Sequence, residues 1–379
     1  MNTLWSRFLQ VSPWIRMLLA VLVVLGLSLC IAGVGLYNLN RVFESENIFE
    51  SEPPDGVPFL TMGQMKPSPE IEAFMASARR LNELYEQSYY RILHGPASLT
   101  PEIRASMLEA VSGMAGTSWM AIMDQAFRSS HQGDRFNLGM ARSRMRCLAS
   151  FSVTLKEDDP RADLSPILQA SIRDVILAER LVPNLMGKMV SLALSGRMVM
   201  VVHRLIRSGL VQPSEAASLR SIFADYQRMR ISLNEALAFE MEFIENASTR
   251  LYARAPLGCW LLERIFGDPV SEFRKMMTGF DVLDTTRFQA AVSGIRHPLA
   301  QIMIPNLERS REIYLQKMAR EEILMQELRD IENASAVKCI DPYTKNPLLT
   351  RTIDGRTLYY AAGPNGRDDE MSGDDVFLH

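Results

Sequence analysis

Residues 189–202 read MVSLALSGRMVMVV, a nearly apolar run in the body of the chain. A helix needs roughly 20 residues to cross a bilayer, whereas this run has only fourteen. Arg197 lies inside it and Lys188 comes just before it, and a charged side chain in the middle of a bilayer is costly. We therefore predict that this run is the buried central helix of a bundle, and not a membrane span.

Helical periodicity continues outward from this run over residues 68–335. Apolar residues recur there at steps of three and four positions, as they do on one face of a helix. Two segments show the pattern best: Ile71, Phe74, Met75, Ala78, Leu81, Leu84 and Tyr85, then Leu164, Ile167, Leu168, Ile172, Val175, Ile176 and Leu181. Ser68-Pro69, Thr100-Pro101 and Ser165-Pro166 each predict a capping residue followed by proline at the first helical position. The sequence predicts a mainly α-helical domain of antiparallel hairpins joined by short turns.

A last long helix is predicted over residues 306–333. It is dense in charge and has a thin apolar stripe; its charged residues include Glu308, Arg309, Arg311, Glu312, Lys317, Arg320, Glu321 and Glu322. Such a helix offers a partly solvated face or a contact for a partner helix. We interpret the adjacent acids Glu321 and Glu322 as part of the solvated face.

The pattern changes after Cys339. Asp341-Pro342 opens a turn, and residues 348–353 have the composition of a strand. Asp354-Gly355 is a strong signal for a two-residue hairpin loop, and residues 357–361 supply the returning strand. We expect a small C-terminal β-hairpin followed by an acidic tail.

The N-terminal region contains a segment that is long enough to anchor the chain in a membrane. Residues 17–37 carry no charged side chain over twenty-one positions. Arg7 and Arg16 precede them, whereas five acids and one arginine lie between positions 41 and 55. Because a basic flank stays on the cytoplasmic side, we expect a single-pass protein of the bacterial cytoplasmic (inner) membrane, with its N-terminus inside and most of the chain outside the cytoplasm. A cleaved signal peptide is the alternative.

The predicted organisation has five segments. They are a cytoplasmic N-terminus (1–16), a transmembrane helix (17–39), a flexible acidic and proline-rich spacer (40–67), an extracytoplasmic helical domain (68–338), and the β-hairpin with its acidic tail (339–379). A net charge of −3 without a basic, aromatic-rich cluster argues against nucleic acid as a partner. Outside the anchor, Cys147, Cys259 and Cys339 are widely spaced; we expect buried free thiols, with one disulfide as the alternative.

Catalytic motifs are not found in this sequence. Gly116-Thr117-Ser118-Trp119-Met120 breaks the nucleophile pattern at its last position, and Gly187-Lys188 lacks the serine or threonine of a phosphate-binding loop. The five histidines stand far apart, and we expect His203 to be a hydrogen-bonded core residue. A glycosidase-like pair of carboxylates that are distant in sequence but close in the fold is an alternative that the sequence leaves open. We assign no catalytic or cofactor-binding residue.

The acidic tail is the one cluster with a chemical character. Asp368, Asp369, Glu370, Asp374 and Asp375 place five carboxylates within eight residues, next to glycines that allow tight turns. Calcium prefers six to eight oxygen ligands, from carboxylates and backbone carbonyls. The alternative is a disordered acidic terminus.

A family resemblance bears on this choice. Residues 341–348 (DPYTKNPL), 358–366 (LYYAAGPNG) and 373–376 (GDDV) resemble the C-terminal segment of the major pseudopilins of type II secretion. The same ending occurs on large helical, membrane-anchored bacterial proteins of unknown function, and this chain resembles those most. In pseudopilins the loop binds calcium, so the resemblance implies a Ca²⁺ site at Asp374 and Asp375, with Asp368 or Asp369 as further ligands.

The chain departs from the pseudopilin pattern at several positions. Ala361 replaces a serine, Asn365 replaces an aspartate, and Glu370-Met371 interrupts the glycines. The N-terminus lacks the pilin processing site, and the similarity covers only about 40 residues of 379, so the chain is not itself a pseudopilin. Fewer oxygen ligands would weaken a metal site.

Two functional classes follow from these observations. The first is a non-enzymatic scaffold or interaction protein of the bacterial envelope, which would contact partners through helix 306–333 or the C-terminal hairpin. The second is an envelope hydrolase whose site is not visible as a linear motif. A membrane sensor is a third and weaker reading, because only sixteen residues would lie inside the cell.

Overall fold

The computed structural model describes residues 68–93, 100–122, 138–182, 185–254, 307–333 and 338–378, with further positions between 260 and 296. The predicted cytoplasmic segment, transmembrane helix and spacer (1–67) lie outside the described residues, as does Cys259. Within the described part the protein is mainly helical, with one small two-stranded sheet. The expectation of a mainly α-helical chain is confirmed.

The helices and strands follow one another in a simple order. They are α1 (Pro69–Leu93), α2 (Pro101–Ala115), α3 (Leu138–Asp158), α4 (Ser165–Leu181), α5 (Leu185–Arg207), α6 (Pro213–Met229), α7 (Leu233–Arg254), α8 (Thr285–Ser293), α9 (Leu307–Ile331), β1 (Leu349–Ile353) and β2 (Arg356–Tyr360). The chain divides into two compact units. The larger takes in Pro58–Glu240, Asp281–Phe288 and Asn306–His379, and the smaller includes Met241–Phe280 and Gln289–Pro305.

Helix α4 is the most central helix of the larger unit. It packs against α2, α3, α5 and α6, and thirteen of its seventeen residues are buried. Helix α5, which contains the run 189–202, packs against α3, α4 and α9 and is buried on its inner side only. The prediction of a core helix at 189–202 is confirmed, and α4 is buried over a larger share of its length than α5. Hydropathy underrates α4 because buried Arg173, Asp174 and Glu179 are part of it.

Helix α5 is also the one described helix that is long and apolar enough to cross a membrane. Core helices of soluble domains can have the same length and apolar composition. Within its most apolar window, 56% of the helix is buried inside the protein.

The predicted helix starts are confirmed at two places and corrected at a third. The Ile71 amide donates to Ser68 Oγ (3.3 Å), and the Ile103 amide donates to Thr100 Oγ1 (3.4 Å). Ser165, predicted as the capping residue, is instead the first residue of α4. Its amide donates to Asp163 Oδ1 (2.9 Å), because a carboxylate two residues upstream provides the acceptor that the helix start needs.

The C-terminal hairpin forms within one residue of its predicted limits. Leu349 pairs with Tyr360 at the open end and Ile353 with Arg356 at the turn. Both turn residues have positive φ, 51° at Asp354 and 75° at Gly355, as a two-residue loop with the right twist requires. Strand β2 packs against α9, so the hairpin belongs to the same compact unit as the helices.

The reading of Glu321-Glu322 as a solvated face is wrong. Helix α9 begins and ends within two residues of the predicted limits, but Glu321 is only 1% exposed and Lys317 only 5%. Helix α9 packs against both α5 and α6, and these charged side chains lie in that interface. The expected buried thiols are found at Cys147 and Cys339, which are both free.

Candidate functional site

The four carboxylates predicted to bind a metal lie in one loop after the hairpin. Ala361 pairs with Val376 in an antiparallel bridge, which closes the intervening residues into a compact turn. Gly363 has a φ of 65°, and a Cβ at that position would lie 2.1 Å from the carbonyl oxygen of Asp374. Only glycine therefore allows the two sides of the loop to approach this closely.

Asp375 is the best-organised acid of this loop. Its Oδ2 accepts hydrogen bonds from the amides of Asp369 (3.1 Å) and Met371 (2.9 Å). Its side chain is buried, and Oδ1 has no hydrogen-bond partner among the described residues. Burial raises the pKa of the Asp375 carboxyl, and the nearby charges of Asp369 and Asp368 raise it further, against the effect of the two amides. A buried carboxylate oxygen without a donor is a position where an ion or water is expected.

The other three acids of the loop have hydrogen-bond partners of their own. Asn365 bridges two of them. Its backbone amide donates to Asp374 Oδ2 (2.8 Å), and its side-chain Nδ2 donates to Asp369 Oδ2 (2.7 Å). Asp368 Oδ1 accepts from the Tyr360 hydroxyl (2.8 Å). Asn365, the departure from the family pattern, thus ties two predicted ligands together.

The loop gathers the predicted ligands without arranging them as a finished site. In residues 338–378 and the rest of the described chain, no group of three or more histidine, cysteine or acidic side chains is already placed to hold a metal ion. The calcium site stays a prediction. Its strongest feature is the unpartnered oxygen of Asp375, since a cation would supply what this atom lacks.

Two side chains of α9 bind the C-terminal part, and buried Asp341 connects its segments to each other. The Cys339 amide donates to Gln326 Oε1 (3.0 Å), and the Tyr359 hydroxyl donates to Asp330. Buried Asp341 accepts from the amides of Tyr343 (2.8 Å) and Ala362 (3.1 Å). These contacts and the packing of β2 on α9 hold the C-terminal part on the helical unit.

A second polar region lies deep among the helices, and no sequence motif indicated it. We call it the buried charge layer and define it as Glu179, Lys188, Arg230, Lys317 and Glu321. Its two acids and two lysines are each at most 5% exposed, and they come from α4, α5 and α9. Arg230 joins them from the end of α6, where it is the C-terminal cap.

Glu179 is fully satisfied at one side of this layer. Its Oε1 accepts from Lys188 Nζ (2.7 Å) and Ser191 Oγ (2.5 Å) on α5. Its Oε2 accepts from the Ile231 amide (3.0 Å). One buried carboxylate thus joins α4 to α5 and to the segment after α6, as a structural charge pair must if it is not to cost stability.

Arg230 forms the opposite side of the layer. Its guanidinium pairs with Glu321 and lies over the rings of Tyr226 (5.5 Å) and Tyr314 (6.0 Å). Burial alone would lower the pKa of Arg230, but the Glu321 charge holds it above its ordinary value. Burial raises the pKa of Tyr226 well above its usual range, so its hydroxyl stays protonated and donates to Ser195 Oγ (3.1 Å).

Lys317 lies near the Glu321 charge but forms no hydrogen bond to it. Its Nζ lies 3.6 Å from Glu321 Oε1, beyond hydrogen-bond distance, and neither atom has a hydrogen-bond partner among the described residues. Burial lowers the pKa of Lys317 to about 8, although the Glu321 charge opposes this. The lysine stem packs beside Gly196 of α5, where a Cβ would lie 3.5 Å from Nζ.

The layer was missed because its members are distant in sequence, yet one signal was present. Ser310, Tyr314, Lys317, Glu321, Leu324 and Leu328 follow each other at steps of three and four along α9. These positions form the buried stripe of the helix. Charged residues at stripe positions predict buried ion pairs, whereas a count of charges alone suggests a solvated face.

Three further ion pairs and one histidine–carboxylate hydrogen bond connect the helices around the layer. They are Arg144–Asp174, Lys156–Glu215, His203–Glu327 and Arg220–Glu332. His203 Nδ1 lies 2.7 Å from Glu327 Oε2 and the ring is buried, which confirms the expectation of a hydrogen-bonded core histidine. Each pair joins two different helices or the segment just beyond one, and so contributes to the relative placement of the helices.

Comparison with models of protein families, with curated proteins and with solved structures finds no match to this chain.

Proposed function

We propose that this chain is a membrane-anchored, extracytoplasmic scaffold or interaction protein of the bacterial envelope. Residues 17–37 would hold it in the inner membrane by a single span, with the N-terminus in the cytoplasm. The described helices would form a bundle of antiparallel hairpins that carries the C-terminal hairpin. No nucleic acid is expected among its partners.

The observation that carries this proposal is that the buried charged side chains of the core pair with each other between helices. The ion pairs of the core join one helix to another, and Glu179, Lys188 and Ser191 are hydrogen-bonded to each other with no solvent contact. Charges arranged in this way position helices. A reacting site, in contrast, places its charged groups at a concave surface that a substrate can enter.

The C-terminal hairpin is the better placed of the two predicted contact surfaces. Four of the five residues of β1 are exposed, and Ile353 presents 41% of its surface to solvent. Helix α9, in contrast, uses Lys317 and Glu321 for packing. A strand with an exposed edge is suited to pairing with a partner segment.

Cross-linking and co-purification of the full-length protein from its native membranes test the scaffold proposal. Stoichiometric recovery of other envelope proteins, with cross-links on β1 or on the exposed side of α9, is the expected result. Recovery of the chain alone would contradict it. Arg351→Glu on β1 should then reduce recovery, whereas Arg80→Glu on α1, an exposed arginine outside both predicted contact surfaces, is the matched control.

An envelope hydrolase is the second candidate, and one observation favours it. Lys317 has a pKa lowered to about 8, in the range of a general base, although it is buried here. A panel of ester, amide and glycoside substrates would be offered to the full-length protein and to Lys317→Met. Turnover that the substitution abolishes would support the hydrolase, whereas equal absence of turnover supports the scaffold.

Calcium at the C-terminal loop is part of the proposal. Asp375 Oδ1 would be the central ligand, with Asp368, Asp369 and Asp374 around it, because this buried oxygen has no donor in the described chain. A ligand bound only by the folded state stabilises it, by about 2.7 kcal/mol at a hundredfold excess over Kd.

A melting curve of the full-length protein in detergent, with Ca²⁺ against chelator, tests this site. We expect Ca²⁺ to raise the midpoint, and Asp375→Asn to abolish the rise. Asp354→Asn is the matched control, since it removes an exposed acid from the same hairpin and keeps a residue suited to the turn. An unchanged midpoint in the parent protein would refute the calcium site.

A further inference from the structure

One peptide of the acidic loop (residues 363–375) is held from both sides. It is the peptide between Glu370 and Met371. Its N–H, on Met371, donates to Asp375 Oδ2 (2.9 Å), and its C=O, on Glu370, accepts from the guanidinium of Arg351 on β1. Because a trans peptide is planar, with its N–H and C=O on opposite sides, the orientation that Arg351 binds is also the one that Asp375 binds.

The backbone at this point needs contacts that hold it. Glu370 and Met371 have φ values of 58° and 61°, and non-glycine residues rarely adopt positive φ. Such a conformation persists only where the surrounding structure fixes it. The Glu370 side chain is 81% exposed, so packing of that side chain does not fix it. The hydrogen bonds to Asp375 and Arg351 are therefore among the contacts that keep this turn in place.

The hairpin holds the turn with two side chains from one face. Tyr360 is the cross-strand partner of Leu349, which lies two residues before Arg351, so Tyr360 and Arg351 share a face of the hairpin. The Tyr360 hydroxyl donates to Asp368 Oδ1 (2.8 Å), which also accepts from the Glu370 amide (2.9 Å). The Arg351 guanidinium lies 3.9 Å from the Glu370 carboxylate. Asp368 and Glu370 are thus both attached to the same face of the hairpin.

This series of contacts connects an exposed residue to a buried one. The Arg351 side chain is 45% exposed and lies on β1, the proposed contact surface. Asp375, at the other end, is only 7% exposed, and its Oδ1 has no partner among the described residues. A guanidinium, a peptide and a carboxylate that are hydrogen-bonded in series polarise one another. A change at Arg351 therefore alters the hydrogen bonding of Asp375.

We infer that Arg351 couples the β1 contact surface to the acidic loop through the Glu370–Met371 peptide. While Arg351 holds this peptide, Asp375 keeps the position in which Oδ1 can bind a cation. A partner whose carboxylate takes the guanidinium away from Glu370 weakens cation binding, and by linkage a bound cation weakens that partner to the same extent. The inference rests on the proposed calcium site and contact surface, and it adds that their ligands oppose each other.

Chemical modification of Arg351 tests the coupling in the full-length protein in detergent. Phenylglyoxal reacts with free guanidinium groups, and peptide mass spectrometry measures its rate at Arg351 and Arg356 separately. Arg356 is the internal control, because it is an exposed arginine of β2 with no ion pair to another described residue. We expect Ca²⁺, compared with chelator, to slow modification of Arg351 by about threefold and to leave Arg356 unchanged. Equal rates at Arg351, in a protein whose melting midpoint Ca²⁺ raises, would overturn the inference.

Substitution of Arg351 tests the reciprocal effect. Arg351→Met should weaken Ca²⁺ binding by about threefold, measured by isothermal titration calorimetry, whereas Arg351→Lys can still donate to Glu370 and should keep most of the affinity. Arg356→Met, which removes the same charge from the same hairpin, is the matched control. Because loss of a positive charge by itself favours a cation, charge alone does not account for weaker binding. Unchanged or tighter Ca²⁺ binding by Arg351→Met would contradict the coupling.

Proteolysis separates this inference from the proposed calcium site. A glutamate-specific protease cleaves after Glu370 only when the turn opens, so the rate of this cleavage reports how firmly the turn is held. In chelator, we expect Arg351→Met to be cleaved there about threefold faster than Arg351→Lys or Arg356→Met. If Ca²⁺ leaves the melting midpoint of the parent protein unchanged, the calcium proposal fails, and this cleavage difference alone decides whether Arg351 couples β1 to the loop. Equal cleavage of the three variants would refute the inference, whatever the effect of Ca²⁺.

Discussion

The buried charge layer and the C-terminal acidic loop handle their carboxylates in opposite ways. In the layer, Glu179 and Glu321 meet cations from other helices. In the loop, Asp369, Asp374 and Asp375 are held by backbone amides and by Asn365, and the charges that act on Asp375 are those of Asp369 and Asp368. The layer therefore positions helices by charge balance, whereas the loop accumulates negative charge that an external cation can balance.

Loss of Glu321 is expected to have the largest effect on this comparison. Glu321→Gln leaves Arg230 and Lys317 buried without a counter-charge, and breaking a buried pair in this way costs about 3–5 kcal/mol. Denaturant unfolding of the full-length protein in detergent measures the loss. Glu308→Gln on the exposed start of α9 should change stability by less than about 0.5 kcal/mol. Equal effects of the two substitutions would show that the layer is not a structural charge pair.

Lys317→Met should act in the opposite direction and remove a pH dependence. The pKa of Lys317 is lowered from 10.5 to about 8, so the folded state binds this proton more weakly than the unfolded state does. The buried ammonium therefore destabilises the folded state fully below pH 8, and this destabilisation disappears as the pH rises towards 10.5. The difference between the Lys317 pKa values of the unfolded and folded states corresponds to a change of about 3 kcal/mol at most in the free energy of unfolding.

The measurement is a series of melting curves from pH 6 to pH 10. The parent protein should become more stable above pH 8. Lys317→Met should be more stable than the parent at pH 7 and should not show the rise in stability above pH 8. Lys338→Met, at an exposed lysine, is the control. A parent protein whose stability falls steadily over this range, with no difference in Lys317→Met, would contradict the prediction.

In the acidic loop the strongest single effect is expected at a glycine. Gly363→Ala would place a Cβ 2.1 Å from the Asp374 carbonyl oxygen at a positive φ, and we expect a loss of about 2–3 kcal/mol, confined to the C-terminal part. Gly355→Ala has the same backbone problem with nothing within 4 Å and should cost only about 1 kcal/mol. Limited proteolysis of the tail compares the two, and equal sensitivity would show that the close approach is not required.

The smallest predicted effect concerns a neutral hydrogen bond at the edge of the layer. Tyr226→Phe removes the hydroxyl that donates to Ser195 Oγ, and such a bond contributes about 1 kcal/mol. Denaturant unfolding measures the change. A loss as large as that of Glu321→Gln would mean that the tyrosine, and not the charge pair, organises this region.

The two regions also differ in how well they could be predicted from the sequence. The acidic loop was predictable because its acids lie within eight residues and the Asp354-Gly355 turn marks the hairpin. The layer was not, because Glu179, Arg230 and Glu321 are contributed by separate elements and meet only when α4, α6 and α9 pack. Helix α4 illustrates the same limit, since periodicity predicted a helix but not that its charged residues are buried.

Metal ligation could be predicted only as far as residue type. The sequence identified Asp368, Asp369, Asp374 and Asp375, and the structure brings them into one loop. Periodicity and composition contain no information on which oxygen is left without a donor. That Asp375 Oδ1 is this atom follows only from the path of the backbone between Asp369 and Met371.

The two buried thiols have a practical consequence for work in living cells. Burial raises the pKa of Cys147 and Cys339 to about 12, so both stay in the unreactive thiol form while the fold is intact. When the bundle opens, they return to ordinary reactivity. With Cys30 and Cys259 replaced by serine, a pulse of a thiol-specific reagent would therefore time the opening of this protein in its own membrane, each alkylated cysteine recording one unfolding event.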